Sequence, residues 1–291
     1  MLPVLLAIVG VGVACVAYGV LIERRWYHLV RHRLDILPTD GPPTLTILHL
    51  SDLHFVHHEP AKTIRFLASL PAADVTVVTG DFLAESEAVE TVVEALRPVR
   101  GRLASWFVLG SNDYYQPRPL NYVAYFQRQR RRRRAAFGRA DELAAQLVAD
   151  GWQDLTNVRH TAQLDGLPVE LMGLDDAHIR WQDYRVAPRR VPDRFGVAVM
   201  HSPDSAPEAA SLGYDLIVAG HTHGGQVCLP IAGALVTNCS MPRRMVKGVI
   251  RMGNAILHTS PGLGTSKYAP FRFWCRPEAT LLELGPRPAG I

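Results

Sequence analysis

From residue 44 onward the chain repeats one unit, a short apolar run that ends in a polar cluster. "TLTILHL" (44–50) leads into Ser51-Asp52-Leu53-His54, and "DVTVVTG" (74–80) into Asp81. "SWFVLG" (105–110) leads into Ser111-Asn112-Asp113, and "VELMG" (169–173) is followed by Asp175-Asp176. "FGVAVM" (195–200) ends at His201, and "YDLIVAG" (214–220) at His221-Thr222-His223. Short runs rich in Val, Ile and Leu predict buried strands. Helical patterns separate several of them, at "PAKTIRFLASL" (60–70), "ESEAVETVVEALRPV" (85–99) and "ADELAAQLVADG" (140–151). Late in the chain the spacers shorten to turns, around "AILHTS" (255–260) and "ATLLEL" (279–284). The order predicts an α/β (α+β) domain, helix-rich early and strand-rich late. Sites in such folds form at the carboxyl ends of strands, which is where all six polar clusters fall.

The first 22 residues break this rhythm, because none of them carries a charged side chain. About 20 apolar residues span the hydrocarbon core of a bilayer. A secretory signal would open on a positive segment, and this one does not, so residues 1–22 are expected to be an uncleaved transmembrane anchor. "ERRWYHLVRHR" (23–33) follows, with Arg24, Arg25, Arg31 and Arg33 against the single acid Glu23. Trp26 and Tyr27 suit the membrane interface, and the positive bias places the body on the cytoplasmic side. Residues 23–43 are expected to be a juxtamembrane basic segment and linker closing on "LPTDGPP", ahead of a domain at 44–285.

Composition sharpens this in three ways. A 48 % hydrophobic content with 20 % charged residues supplies a core and excludes a disordered chain. The four cysteines are scattered with no C-x-x-C pair, so neither a thiolate zinc site nor a disulfide framework is signalled. The net charge of +4 comes from seven arginines between Arg128 and Arg139, without which 24 basic residues face 27 acidic ones. This Arg-rich insertion (127–139) reads first as a solvated cationic loop. Functionally it suits anionic lipid headgroups or nucleic acid. No nucleic-acid-binding motif surrounds it and an anchor is already present. A membrane lipid or lipid-linked phosphate ester is therefore the favoured partner, with Arg130 and Arg132 as substrate-binding candidates.

Asp52, His54, Asp81, Asn112, His201, His221 and His223 form the candidate metal site. Imidazole suits zinc, iron and other transition metals, and carboxylate suits harder cations such as manganese. Any one of these residues alone is as readily a core histidine or a turn-forming aspartate; three strand-end histidines with two strand-end aspartates are not. Mixed nitrogen and oxygen donors at strand ends suggest two divalent ions (Mn, Fe or Zn) clamping a phosphate.

"SDLHF", "TGDF", "VMHSPD" and "AGHTHGGQV" resemble, in this order, the motifs of the calcineurin-like metallophosphoesterases. "GHTHGGQVCLPI" and the tail "SPGLGTSKYAPFRFWCRPEATLLEL" are most similar to a membrane-associated bacterial subgroup, some members of which act on UDP-2,3-diacylglucosamine. The resemblance covers residues 44 to about 285. It implies a two-sheet β-sandwich flanked by helices, and a metal-dependent phosphoesterase whose nucleophile is a water between two ions. Asp52, His54 and His223 would hold one ion, Asp81 would bridge, and His201, His221 and an Asn would hold the other.

The chain departs from the family at its third motif, usually Gly-Asn-His-Asp, in which the Asn is a ligand and the His assists the leaving group. Here the positions read Gly110-Ser111-Asn112-Asp113. A gapless alignment puts Ser111 at the ligand position, while a one-residue adjustment puts Asn112 there. A neutral hydroxyl is a weak ligand and an amide oxygen a better one, which favours Asn112. Asn112 and Asp113 are the catalytic candidates. Under either alignment the histidine is missing, and such a group typically contributes 10²–10⁴-fold. His57, His58 and His178 are possible replacements, the first two also as substrate-binding groups. The rival reading is a catalytically weakened fold that binds phosphate or lipid; a nucleic-acid phosphodiesterase is a further alternative.

Overall fold

The computed structural model describes residues 1–58, 61–117, 136–186 and 190–288. In chain order the strands are β1 (His28–Leu37), β2 (Leu45–Leu50), β3 (Val75–Thr79), β4 (Ala104–Val108), β5 (Gln153–Asp154), β6 (Val158–Leu164) and β7 (Leu167–Leu174). They continue with β8 (Phe195–Met200), β9 (Leu216–Ala219), β10 (Cys228–Leu229), β11 (Gly233–Ala234), β12 (Gly248–Met252), β13 (Ala255–Thr259) and β14 (Glu278–Pro286). The helices are α1 (Leu2–Leu21), α2 (Ala61–Ala68), α3 (Val89–Leu96), α4 (Ser111–Tyr114), α5 (Ala140–Ala149) and α6 (Ala206–Ser211).

Two six-stranded sheets result, ordered β1-β14-β2-β3-β4-β5 and β12-β13-β9-β8-β7-β6. Each has a parallel centre: β2, β3, β4 and β5 in one, and β7, β8, β9 and β13 in the other. Burial on both faces explains why the runs are continuously apolar. In β2, Leu45 and Ile47 join Val75, Val77, Trp106, Val197 and Val218 in the layer between the sheets. Leu48 and Leu50 belong instead to the cluster with Leu67, Val92, Leu96, Leu143 and Leu147, which lie on α2, α3 and α5. Behind the second sheet, Met172 and Met200 pack with Ala206 and Ala209 of α6. This is the two-sheet sandwich flanked by helices that the sequence implied.

The segment 23–43 is not the linker expected of it. Residues 28–37 form β1, paired in parallel with β14 from His28↔Glu278 to Leu37↔Pro286. Arg31, Arg33 and Asp35 are exposed and alternate with inward residues, ending in buried Leu34, Ile36 and Leu37. Charged outward positions are how an edge strand avoids pairing with other chains, and they mimic a membrane-flanking basic stretch. Arg31 Nη1 lies 2.9 Å from Glu283 Oε1, and Arg33 Nε 3.2 Å from Asp35 Oδ1.

Helix α1 is long and apolar enough to cross a membrane. Gly19 is its buried residue, and a Cβ there would meet Arg272 O at 2.6 Å. Arg272 N–H donates to Gly19 O (3.3 Å), and Cys275 N–H to the buried Glu23 Oε1 (2.5 Å). Arg276 Nε donates to Trp26 O (3.0 Å), with its guanidinium 4.2 Å from the Trp26 ring centre. The foot of the helix is thus fastened to the loop 272–276. The arginine run, including Arg130 and Arg132, lies outside the described residues.

Candidate metal centre

Parallel strands bring the six polar clusters to one end of the sandwich. β2 ends before Asp52 and His54, β3 before Asp81, β4 before Asn112, β7 before Asp176, β8 before His201, and β9 before His221 and His223. The backbone turns sharply to aim them inward. Asp52 (φ 47°), His54 (44°), Asp81 (53°), His221 (67°) and His223 (50°) all occupy the left-handed region. Each such residue costs on the order of 1–3 kcal/mol, so the strain is concentrated at the site. Two glycines give it room: a Cβ at Gly220 would collide with Ser51 Oγ and Asp52 Oδ2, and one at Gly110 with Asp81 Oδ1.

The side chains form two groups with Asp81 between them. In the first, His54 Nε2 lies 3.1 Å from His223 Nε2, and Asp52 Oδ1 lies 3.5 Å from His223 Nε2 and 4.0 Å from His54 Nε2. In the second, donor atoms of Asp176, His201 and His221 all lie within 4.8 Å of one another, with His221 Nδ1 3.3 Å from His201 Nε2. Asp81 turns Oδ1 to His201 Nε2 (3.5 Å) and Oδ2 to His54 Nε2 (3.6 Å). Carbonyl groups hold two of the rings from behind: Thr79 O is 2.6 Å from His201 Nδ1, and Asn238 O 3.3 Å from His221 Nε2. Such contacts fix which nitrogen faces a metal.

These residues fit divalent ions. Asp52 Oδ1 and His54 Nδ1 are buried without a hydrogen-bond partner among the described residues. Buried carboxylate oxygens are seldom left so, and a cation between the facing imidazoles would satisfy Asp52. Burial raises the Asp52 pKa and is the main influence lowering those of His54, His221 and His223. At Asp81 burial works the other way from its neighbours and loses: His201 and His54 hold its carboxyl well below the usual range. At His201 burial is likewise overcome, here by Asp81 and Asp176, which hold its proton well above the usual range. Neutral imidazoles and ionised carboxylates are the forms that bind a cation; His54, His221, His223 and Asp81 are held in them, whereas Asp52 and His201 would each release a proton on binding.

The third-motif loop divides its work. Asn112 lines the cleft, with its backbone N–H donating to Asp81 Oδ1 (2.8 Å) and Nδ2 to Asp81 Oδ2 (2.5 Å). Asp113 is fully buried and accepts from the N–H groups of Gly110, Asp81, Phe82 and Leu83 at 2.8–3.1 Å. It ties α4 to the loop after β3 and does not line the cleft, so its place is positional where a catalytic one was expected. His57 and His58 are exposed, with the His57 N–H on Glu85 Oε2, and neither lines the cleft. His178 does line it, its ring 4.6 Å from that of His221. Asp176 was not among the expected ligands; its signal was the second acid of the strand-end "GLDD".

The cleft holds about 520 Å³. Besides the polar groups it is lined by Val227, Leu235, Val236 and Phe271. A neighbouring cavity shares His54 and Ser266 with it and extends to Arg24, Arg25 and Tyr27 at the foot of α1.

A two-part strand-end centre with a central aspartate is an arrangement suited to metal ions. Residues 45–225 match the calcineurin-like phosphoesterases. The chain belongs to that family, whose members use divalent metals, and is a hydrolase of phosphoric esters. It is 26 % identical to the metallophosphoesterase YkuE of Bacillus subtilis over 82 % of this chain and 78 % of that protein. It is 25 % identical to the phosphodiesterase YaeI of Escherichia coli over 90 % of each. It is 26 % identical to the UDP-2,3-diacylglucosamine pyrophosphatase LpxG of Chlamydia trachomatis over 82 % of this chain and 83 % of that protein.

Proposed function

We propose that the chain hydrolyses a phosphodiester or phosphomonoester carried by a membrane lipid, at a centre of two divalent ions (Mn, Fe or Zn). Asp52, His54 and His223 hold one ion, His201 and His221 the other, and Asp81 stands between. Two ions held there supply Lewis acidity and a water nucleophile at neutral pH. The observation that carries the reading is the placement of Asp81, with one carboxylate oxygen toward each histidine group. Asn112, against Asp81 and open to the cleft, orients the phosphate by its amide but cannot transfer a proton as an imidazole would.

The lipid assignment rests on the foot of α1. Its clasp on the loop 272–276 sets the cleft beside the helix that would enter the bilayer. The cavity beside His54 reaches Arg24 and Arg25 at the foot of the same helix, and cationic side chains favour anionic headgroups. The substrate in LpxG's name is likewise a diacylated, phosphate-bearing molecule, although the bond named there is a pyrophosphate. With Arg31 and Arg33 placed in β1, the cytoplasmic orientation rests on Arg24 and Arg25.

The test is metal content of the purified protein, then rates on bis(4-nitrophenyl) phosphate and 4-nitrophenyl phosphate with added Mn²⁺. Wild type is expected to bind transition ions and to exceed Asp81→Ala by about 10²-fold or more, as for loss of an electrostatic stabiliser. Absence of bound metal with rates equal to Asp81→Ala would sink the enzyme reading. Metal-loaded protein inert on every ester would favour the binding-only fold.

A further inference from the structure

The second histidine group is short of a ligand if only the third motif is consulted. Ser111 offers a hydroxyl, a weak donor to a divalent cation. Asn112 directs both its backbone N–H and its Nδ2 to Asp81. On the other side of the same group lies Asp176, fully buried at the end of β7. One of its carboxylate oxygens comes within 4.8 Å of donor nitrogens on both His201 and His221.

Asp176 also accepts from two backbone groups, Ser111 N–H on Oδ2 (3.1 Å) and His178 N–H on Oδ1 (2.8 Å). Those bonds alone would make it a loop cap. A carboxylate has about four acceptor sites, however, and one N–H on each oxygen leaves capacity on both. At the start of α4, Asp113 accepts from Gly110 N–H and Asp176 from Ser111 N–H, so capping takes up one acceptor site of Asp176 Oδ2 and not the whole carboxylate. The bond to Ser111 N–H further places the Asp176 carboxylate against the backbone of the residue whose side chain is the deficient one.

We infer that Asp176 is the carboxylate ligand of the second ion, with Asp81, His201 and His221, and that it takes the place of the side-chain amide that the third motif, with Ser111 at that position and the Asn112 amide on Asp81, does not supply to this ion. This rests on the two-ion centre proposed above. It also changes the charge there: an anionic oxygen in place of a neutral one makes the ion a harder site, lower in net charge by one.

The test is Mn²⁺ titration of the full-length protein in detergent, read by calorimetry and by the electron paramagnetic resonance signal of an exchange-coupled ion pair. Wild type should bind two ions. Asp176→Ala should keep one and bind the second at least ~10-fold more weakly, at the lower end of what even outer-shell changes cost, with loss of the coupled signal and unchanged circular dichroism. Adding Ser111→Asn to that variant should restore part of the second-site affinity. Asp176→Asn keeps the size of the side chain and an acceptor oxygen for one of the two backbone N–H groups, a milder change than alanine; it should fold and bind the second ion more weakly than wild type. Wild-type affinity for both ions in Asp176→Ala, or in Asp176→Asn should the alanine variant not fold, overturns the assignment while leaving the two-ion reading intact. Fewer than two ions in wild type overturns both.

Discussion

Asn112 sits against Asp81 with an amide where the family places an imidazole, and the chemistry this removes can be put back. Asn112→His should raise kcat on substrates with poor leaving groups by about 10²-fold, the lower end for an acid–base group, with metal content unchanged. Activated aryl esters, which need little proton assistance, should gain much less; equal gains on both would count against this role. Asp176 belongs to the same scale. If its charge lowers the attraction for dianions, Asp176→Asn should shift the ratio of kcat/KM values toward the phosphomonoester relative to wild type. The gathering of Asp52, His54, Asp81, His201, His221 and His223 at one end of the sandwich was legible in the sequence because each lies just after an apolar run. The places of Asp113, buried behind the cleft, and of Asp176, beside His201 and His221, were not legible. A carboxylate that caps a turn and one that faces a cation are the same letter after the same kind of strand, and only the direction of the surrounding N–H groups separates them.

Among the elements, β1 shows most plainly where periodicity misleads. Its charged positions are outward on an edge strand, and the apolar half of the pattern emerges only at Leu34, Ile36 and Leu37. The central strands were legible because burial on both faces leaves no polar position to confuse the pattern. A chain beginning at residue 28 should therefore fold, whereas one beginning at 44 uncovers β14 and loses three buried side chains worth roughly 1.5–3 kcal/mol each. Thermal unfolding of the two, or failure of only the shorter to stay soluble, checks this. A second expectation concerns the layer between sheets, where His49 Nδ1 meets His258 Nδ1 at 2.7 Å and His49 Nε2 meets Thr79 Oγ1 at 2.9 Å. Burial lowers His49 to about 3 and, with the charge of His49, holds His258 well below its usual value. The unfolded chain takes up these protons near pH 6.5 while the folded one does not, so stability falls as pH drops from 7 toward 4. Unfolding temperatures of metal-free protein at pH 7, 6 and 5 should decline, and His49→Gln should flatten the decline.

At the scale of the molecule, the two sheets point their parallel strands at one rim, and the polypeptide reaches that rim again at 272–276 to clasp the foot of α1. With α1 in a bilayer, this clasp gives the cleft a fixed height and heading above the lipid. The enzyme then searches an area rather than a volume. Its turnover should follow the mole fraction of substrate within the lipid or micelle phase, so that added inert detergent slows it at constant bulk concentration. A substrate free in water would be hydrolysed at the same rate however much surface surrounds it.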